Sequence, residues 1–208
     1  MSFPGTMNIE QISYYGGIAA LAAVFGLWFV FTGMFFVRKK PATSPDAIRA
    51  PKSWIAFGLQ GLGFAVAWAV RRRPFFSPIV ENQFALNIAL EILAVLLAAV
   101  SVWLAVAGIK ELGRQWSLQA RLIEGHKLIT SGIYSVVRHP IYTAMLGMLL
   151  ATSLVVSHWI GLIAAVIVFY IGTKIRTNIE EGLLRDAFGE EFATWKAKVP
   201  GLIPFLKI

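Results

Sequence analysis

The chain has 208 residues, of which 57% are hydrophobic and only 14% charged, with a mean hydropathy of +0.68 and a formal net charge of +8. A soluble domain carries about 25% charged residues, so this chain lacks the polar surface of a water-facing globule, and its hydrophobicity excludes intrinsic disorder. The absence of cysteine excludes a disulfide scaffold, a thiolate metal site and a cysteine nucleophile.

Five apolar runs follow in chain order. Ile18 to Val37 comes first, closed by Arg38, Lys39 and Lys40. It starts late, no basic region precedes it and no A-x-A-like site follows, which argues against a signal peptide. Residues from Ala42 to Pro51 read as a loop. Trp54 to Val70 is the second run, closed by Arg71, Arg72 and Arg73, and Pro74 to Pro78 reads as another loop. Gly58, Gly61 and Gly63 lie inside that run with no strand before them, so they suit helix packing rather than dinucleotide binding. Phe84 to Ile109 is the third run, and Ile141 to Val156 and Trp159 to Ile171 form a short hairpin around Ser157 and His158. A crossing helix needs roughly 20 residues, with about 17 as the lower limit. The expected fold is therefore an all-α integral membrane protein of about five transmembrane helices. Residues 1–109 hold the first three, and residues 110–208 hold the hairpin and a C-terminal cytoplasmic helix.

With five spans, all nineteen lysines and arginines except Arg71, Arg72 and Arg73 fall on one side. The positive-inside rule makes that side the cytoplasm, and the positive charge points to anionic lipid rather than nucleic acid. The three exceptions snorkel to headgroups, or one of them pairs with Glu91. That acid sits inside the third run one turn after Asn87, and an intramembrane acid is a functional candidate by default.

Three polar clusters gather on the basic side. The first runs from His126 to Tyr134. The second is Arg138-His139-Pro140-Ile141-Tyr142, where Pro140 suits the first turn of a helix and His139 falls near the N-cap, facing the headgroups. A helix N-terminus offers N–H groups to a carboxylate. The third is Arg176-Thr177-Asn178-Ile179-Glu180-Glu181, continuing the fifth helix out of the membrane. Arg176 and Glu180 share a face there, and Glu181 points about 100° away. The second cluster has an ordinary reading as an interfacial anchor, and the Arg176–Glu180 pair one as a solvated surface pair. No third ligand accompanies His126 and His139, so a metal site is not expected.

Together and in order, these clusters resemble the isoprenylcysteine carboxyl methyltransferase family. The resemblance rests on Gln119, His126-Lys127-Leu128-Ile129, Ser131-Gly132-Ile133-Tyr134, Arg138-His139-Pro140-Ile141-Tyr142, Arg176, Glu180-Glu181, Phe188-Gly189-Glu190-Glu191-Phe192 and the closing Val199-Pro200-Gly201-Leu202-Ile203-Pro204-Phe205. Phe192 and Trp195 stand where tyrosines are common. The resemblance implies an enzyme using S-adenosyl-L-methionine. Gln119, His126, Lys127, Leu128, Ile129, Tyr134, His139, Pro140, Ile141, Tyr142 and Glu180 would line the cofactor pocket, and Arg176 would meet the methyl acceptor. The acceptor it implies is the carboxylate of a prenylated cysteine or another lipophilic small molecule, reached from the membrane lipids. Alternatives are a membrane methyltransferase for a thiol or lipid, an NADPH-dependent membrane reductase, and a non-enzymatic scaffold or transporter using Glu91 and Asn87. No extra basic cluster suits the 2′-phosphate of NADPH.

Overall fold

The computed structural model describes residues 9–37, 48–49, 53–73, 77–117, 121–122 and 125–206. Its helices are α1 (Ile9–Val37), α2 (Ser53–Ala69), α3 (Phe84–Leu112), α4 (Pro140–Val156) and α5 (Trp159–Lys198). Two short strands, β1 (Ile48–Arg49) and β2 (Arg121–Leu122), pair antiparallel. The apolar runs become helices because a backbone in lipid must satisfy its own hydrogen bonds. Among the described residues three helices, α1, α3 and α5, are long and apolar enough to cross a membrane, while α2 and α4 have 17 residues each. The fold is that of an all-α integral membrane protein. Its outer surface agrees, since Phe29 is 79% and Trp103 62% exposed, positions that water would penalise and lipid accepts.

α5 has 40 residues and runs unbroken as far as Phe188, which at 1.5 Å per residue is about 45 Å, half as long again as a hydrocarbon core of roughly 30 Å. Its second half therefore projects beyond the lipid. Gly189, at φ 49°, bends that projecting half.

The core holds small residues where helices meet. Ala94, Ala98 and Ala105 of α3 are buried with Ala144, Met148 and Ala151 of α4, and Val24 and Phe31 of α1 join them. α2 lies on α5 through glycines. A Cβ on Gly63 would come within 2.9 Å of Phe169, and one on Gly172 within 2.8 Å of the Ala56 carbonyl. Close backbone approach is what small residues provide in membranes. Gly58 and Gly61 do not take part, since added Cβ atoms there meet nothing within 4 Å.

Arg72 lies close enough to Glu91 for the two charges to act on each other, although no ion-pair contact joins them among the described residues. It caps α4, donating to the carbonyls of Ser157 at 2.7 Å, Val155 at 2.8 Å and Leu154 at 3.1 Å. The last carbonyls of a helix have no partners within it, and a guanidinium there also complements the helix dipole. Asn87 has a local role as well, exchanging hydrogen bonds with the Val80 backbone at 2.8 Å each way. Of the two expected loops, the part of 42–51 outside Ile48–Arg49 and residues 74–76 lie outside the described residues.

Candidate functional site

The C-terminal ends of α1 and α3, the N-terminal ends of α2 and α4 and the middle of α5 converge on one cavity of about 550 Å3. One side is aromatic, with Trp28, Phe31, Phe35 and Phe36 from α1 and Phe57 and Phe64 from α2. The other is polar. His126, Lys127, Leu128, Ile129, Tyr134, His139, Pro140, Ile141, Tyr142, Arg176 and Glu180 all line it. Eleven residues singled out in the sequence thus face one space. Gln119 lies outside the described residues.

Arg176, Tyr142 and Glu180 form a chain of contacts. Arg176 Nε donates to the Tyr142 hydroxyl and, at 3.3 Å, to Glu180 Oε1, while Tyr142 donates to the same carboxylate oxygen. The guanidinium is 5.4 Å from the centre of the Tyr142 ring and 5.9 Å from that of Phe57. Arg176 is only 4% exposed. Its charge is therefore held in a fixed plane by two rings and a hydrogen-bonded carboxylate, an arrangement suited to an anionic partner.

Glu181, one position on, faces the other way, as the helical geometry requires, yet it is buried at the centre of a second cluster. His139 Nε2 donates to Glu181 Oε1 at 3.0 Å, Arg138 donates from Nε at 3.0 Å and from a terminal nitrogen at 2.9 Å, and Lys196 lies 2.6 Å from Oε2. Burial alone would raise its pKa. Hydrogen bonds from His139 and Lys196, with the charge of Arg138, outweigh that and hold the carboxyl well below its ordinary range. His139 is the N-cap residue of α4 by position, but its side chain makes no capping bond. It is buried and clamped to Glu181 rather than facing headgroups, which corrects the anchor reading.

The C-terminal segment locks this arrangement. The Arg138 and His139 amides donate to the carbonyls of Pro200 and Gly201 at 2.9 and 3.0 Å. Arg138 also donates to the carbonyls of Val199 and Lys196, and Thr143 to that of Leu202. The proline-rich tail is thus a strap across the start of α4.

His126 to Ile129 forms an irregular wall, with Gln115 fixing it. The Lys127 amide donates to Gln115 Oε1 at 2.6 Å, and Gln115 Nε2 donates to the Lys127 carbonyl at 3.4 Å. His126 has a buried Nδ1 without a hydrogen-bond partner among the described residues, and burial lowers its pKa, favouring the neutral ring. Gly132, at φ 55°, sits where a Cβ would fall 2.9 Å from the Glu111 carboxylate, and Ser131 donates to that carboxylate at 2.6 Å. Trp195 donates to the Tyr134 carbonyl at 3.1 Å. Burial, then the charges of Glu180 and Glu111, raise the Tyr134 pKa, keeping its phenol protonated.

Gln115, Glu111 and the aromatic wall of α1 and α2 were not singled out by the sequence. In the sequence Glu181 stands as the second of two adjacent acids, turned about 100° from Glu180. The paired acids after Arg176 were the one available signal, since two adjacent carboxylates on a helix address two different neighbours.

Residues 90–191 match the family described as PEMT, phospholipid methyltransferase. Protein-S-isoprenylcysteine O-methyltransferase B of Arabidopsis thaliana is 32% identical over 89 residues, 43% of this chain and 45% of that protein. Protein-S-isoprenylcysteine O-methyltransferase of Tribolium castaneum is 25% identical over 207 residues, 99% of this chain and 66% of that protein. The Mus musculus protein of the same name is 34% identical over 91 residues, 43% of this chain and 32% of that protein. The chain thus spans less than two thirds of each of these relatives. The resemblance read from the motifs is borne out by these matches.

Proposed function

We propose that this protein is an integral-membrane S-adenosylmethionine-dependent methyltransferase that esterifies the carboxylate of an isoprenylcysteine-like acceptor at the cytoplasmic face. In this reading residues 110–208 form the catalytic half, and residues 1–109 supply spans and the aromatic wall. The observation that carries it is the buried Arg176–Tyr142–Glu180 chain facing the same cavity as His126 to Ile129 and His139. The names of the relatives support the acceptor class.

The residues present suit the cofactor. Ligand pockets span roughly 300–1,000 Å3, and the 550 Å3 cavity falls inside that range. The unpartnered Nδ1 of His126 is a hydrogen-bonding position that a ligand would complete. Glu180 supplies the negative charge that a cationic ligand needs. His126 to Ile129, Tyr134 and His139 to Tyr142 would hold the cofactor, which brings a methyl group on a sulfonium.

The rest is positioning by the chain. A carboxylate of pKa about 3.5 is ionised at neutral pH, so no general base is required. Arg176 would hold it as a nucleophile and keep it ionised while water is excluded. An anion meeting a cation loses charge on the way to the transition state, so a dry, apolar surround favours the reaction. The aromatic wall of α1 and α2 provides that surround and matches a prenyl chain. An amine acceptor fits less well, since a cationic headgroup would face the Arg176 guanidinium.

Reconstituted protein should transfer labelled methyl from S-adenosylmethionine to a farnesylated cysteine analogue, giving a base-labile ester. Arg176→Ala should abolish this. Transfer to a short alkyl thiol that survives Arg176→Ala would refute the carboxylate reading.

A further inference from the structure

A second cavity, of about 160 Å3, lies on the opposite side of the Glu181 cluster from the first. The two share Arg138 and His139 as a wall. α5 serves both through two of its faces. Arg176, Glu180, Leu183 and Leu184 turn to the first cavity, and Tyr170, Lys174, Thr177, Asn178 and Glu181 turn to the second. Spacings of three and four residues place each set on its own stripe.

The second stripe climbs out of the membrane. Tyr170 is 41% exposed near the end of the apolar half of α5, a usual place for interfacial tyrosine. Lys174 follows one turn later, exposed and without an ion pair among the described residues. Among the described residues Glu181 is the one carboxylate lining this space, against Arg138, Lys174 and Lys196. Positive charge is therefore in excess there. The C-terminal strap closes the cavity with Ile203 and Leu206, 44% and 46% exposed, and presents Phe205 at 93%. An apolar rim below a cationic pocket, at the level where a helix leaves lipid, matches the two ends of one molecule.

We propose that this cavity binds the phosphate headgroup of an anionic phospholipid, with Lys174 and Lys196 as its cationic contacts and Tyr170, Ile203 and Leu206 beside its acyl chains. The site lies outside the first cavity and meets it only at the Arg138–His139 wall, and its assignment does not depend on the proposed methyl transfer. Occupancy would steady the strap and the Arg138–His139–Glu181 cluster behind it.

The test is lipid retention by the detergent-purified full chain, read by native mass spectrometry, with thermal midpoints as a second readout. The probes are dioleoyl phosphatidylglycerol, dioleoyl phosphatidylcholine, and inorganic phosphate or glycerol 3-phosphate. Phosphatidylglycerol should be retained in preference to phosphatidylcholine and should raise the midpoint. Lys174→Gln should weaken retention about fivefold, the usual effect of one basic residue at an anionic surface. Lys174→Arg should restore it. Lys198→Gln, an exposed lysine of α5 outside both cavities, should leave it unchanged. Unchanged affinity in Lys174→Gln would overturn the proposal. So would an equal loss in Lys198→Gln, which would make the attraction diffuse. Equal protection by inorganic phosphate or glycerol 3-phosphate would overturn the lipid assignment.

Discussion

Glu181→Gln keeps the size of the side chain at the hub of the His139 cluster and removes its charge. The carboxylate accepts from His139 at 3.0 Å and from Arg138 at 2.9 and 3.0 Å, and the side chains of Arg138 and Glu181 are each 9% exposed. Breaking a buried pair by removing one partner costs about 3–5 kcal/mol. Arg138 keeps its bonds to the carbonyls of Lys196 and Val199, so the lower end, about 3 kcal/mol, is expected. The Lys196 bridge is different. Its lysine is 48% exposed, and such a pair is worth about 0–1 kcal/mol. Glu181→Gln should therefore lower the thermal midpoint in detergent by roughly 6–12 °C, at 2–4 °C per kcal/mol for a chain of this size. Lys196→Met should lower it by no more than a few degrees. His139 lines the main cavity, so Glu181→Gln should also weaken S-adenosylhomocysteine binding, measured by calorimetry. Equal midpoint shifts in the two variants, or an unshifted Glu181→Gln with native affinity, would refute the buried-hub reasoning.

Arg176→Lys keeps a cation but loses the planar contacts to Tyr142 and Glu180. Charged hydrogen bonds are worth about 1.5–3 kcal/mol, so kcat/KM for the prenylated acceptor should fall roughly tenfold to a hundredfold with cofactor-product affinity preserved. The lowered pKa of His126 means the neutral ring persists below its ordinary value of about 6.5. Binding of S-adenosylhomocysteine should then hold steady from neutral pH through 6.5 and decline only at more acid pH, with His126→Gln abolishing that decline; a midpoint above 6.5 would contradict it. Glu181, held below the usual carboxylate range, contributes stability that is present above its unfolded pKa and is lost as pH falls through its folded one. Mild acidification to about pH 5 should leave its cluster intact in stability measurements on His126→Gln. Arg72→Met should destabilise by about 2 kcal/mol, the upper range for a cation at a helix C-terminus. It lies about 25 Å along α4 from His139, so S-adenosylhomocysteine affinity should not change.

The helices were legible because long apolar runs bounded by charge have few alternatives in lipid. The ordered motifs also named eleven residues that meet in one cavity. What stayed hidden depended on tertiary neighbours. Arg72 reads as an exception to charge asymmetry until α4 ends beside it and offers three carbonyls. Glu181 reads as turned away from the site because helical phase places it 100° from Glu180, and nothing local reveals that Arg138, His139 and Lys196 converge on that face. The glycines of α2 look equivalent in sequence, yet only Gly63 among the three meets α5. The aromatic residues of α1 and α2 carry no positional signature, since lipid-facing and cavity-facing phenylalanines read alike.

The central claim is that one cavity holds an adenosyl cofactor through Glu180, His126 and His139. Calorimetric titration of S-adenosylhomocysteine into detergent-purified protein tests it most directly, with Glu180→Ala and His139→Ala alongside and thermal midpoints confirming that both fold. The account predicts micromolar binding to the unmodified chain and its loss in both variants. Absence of binding to well-folded protein, or native affinity in both variants, would contradict it.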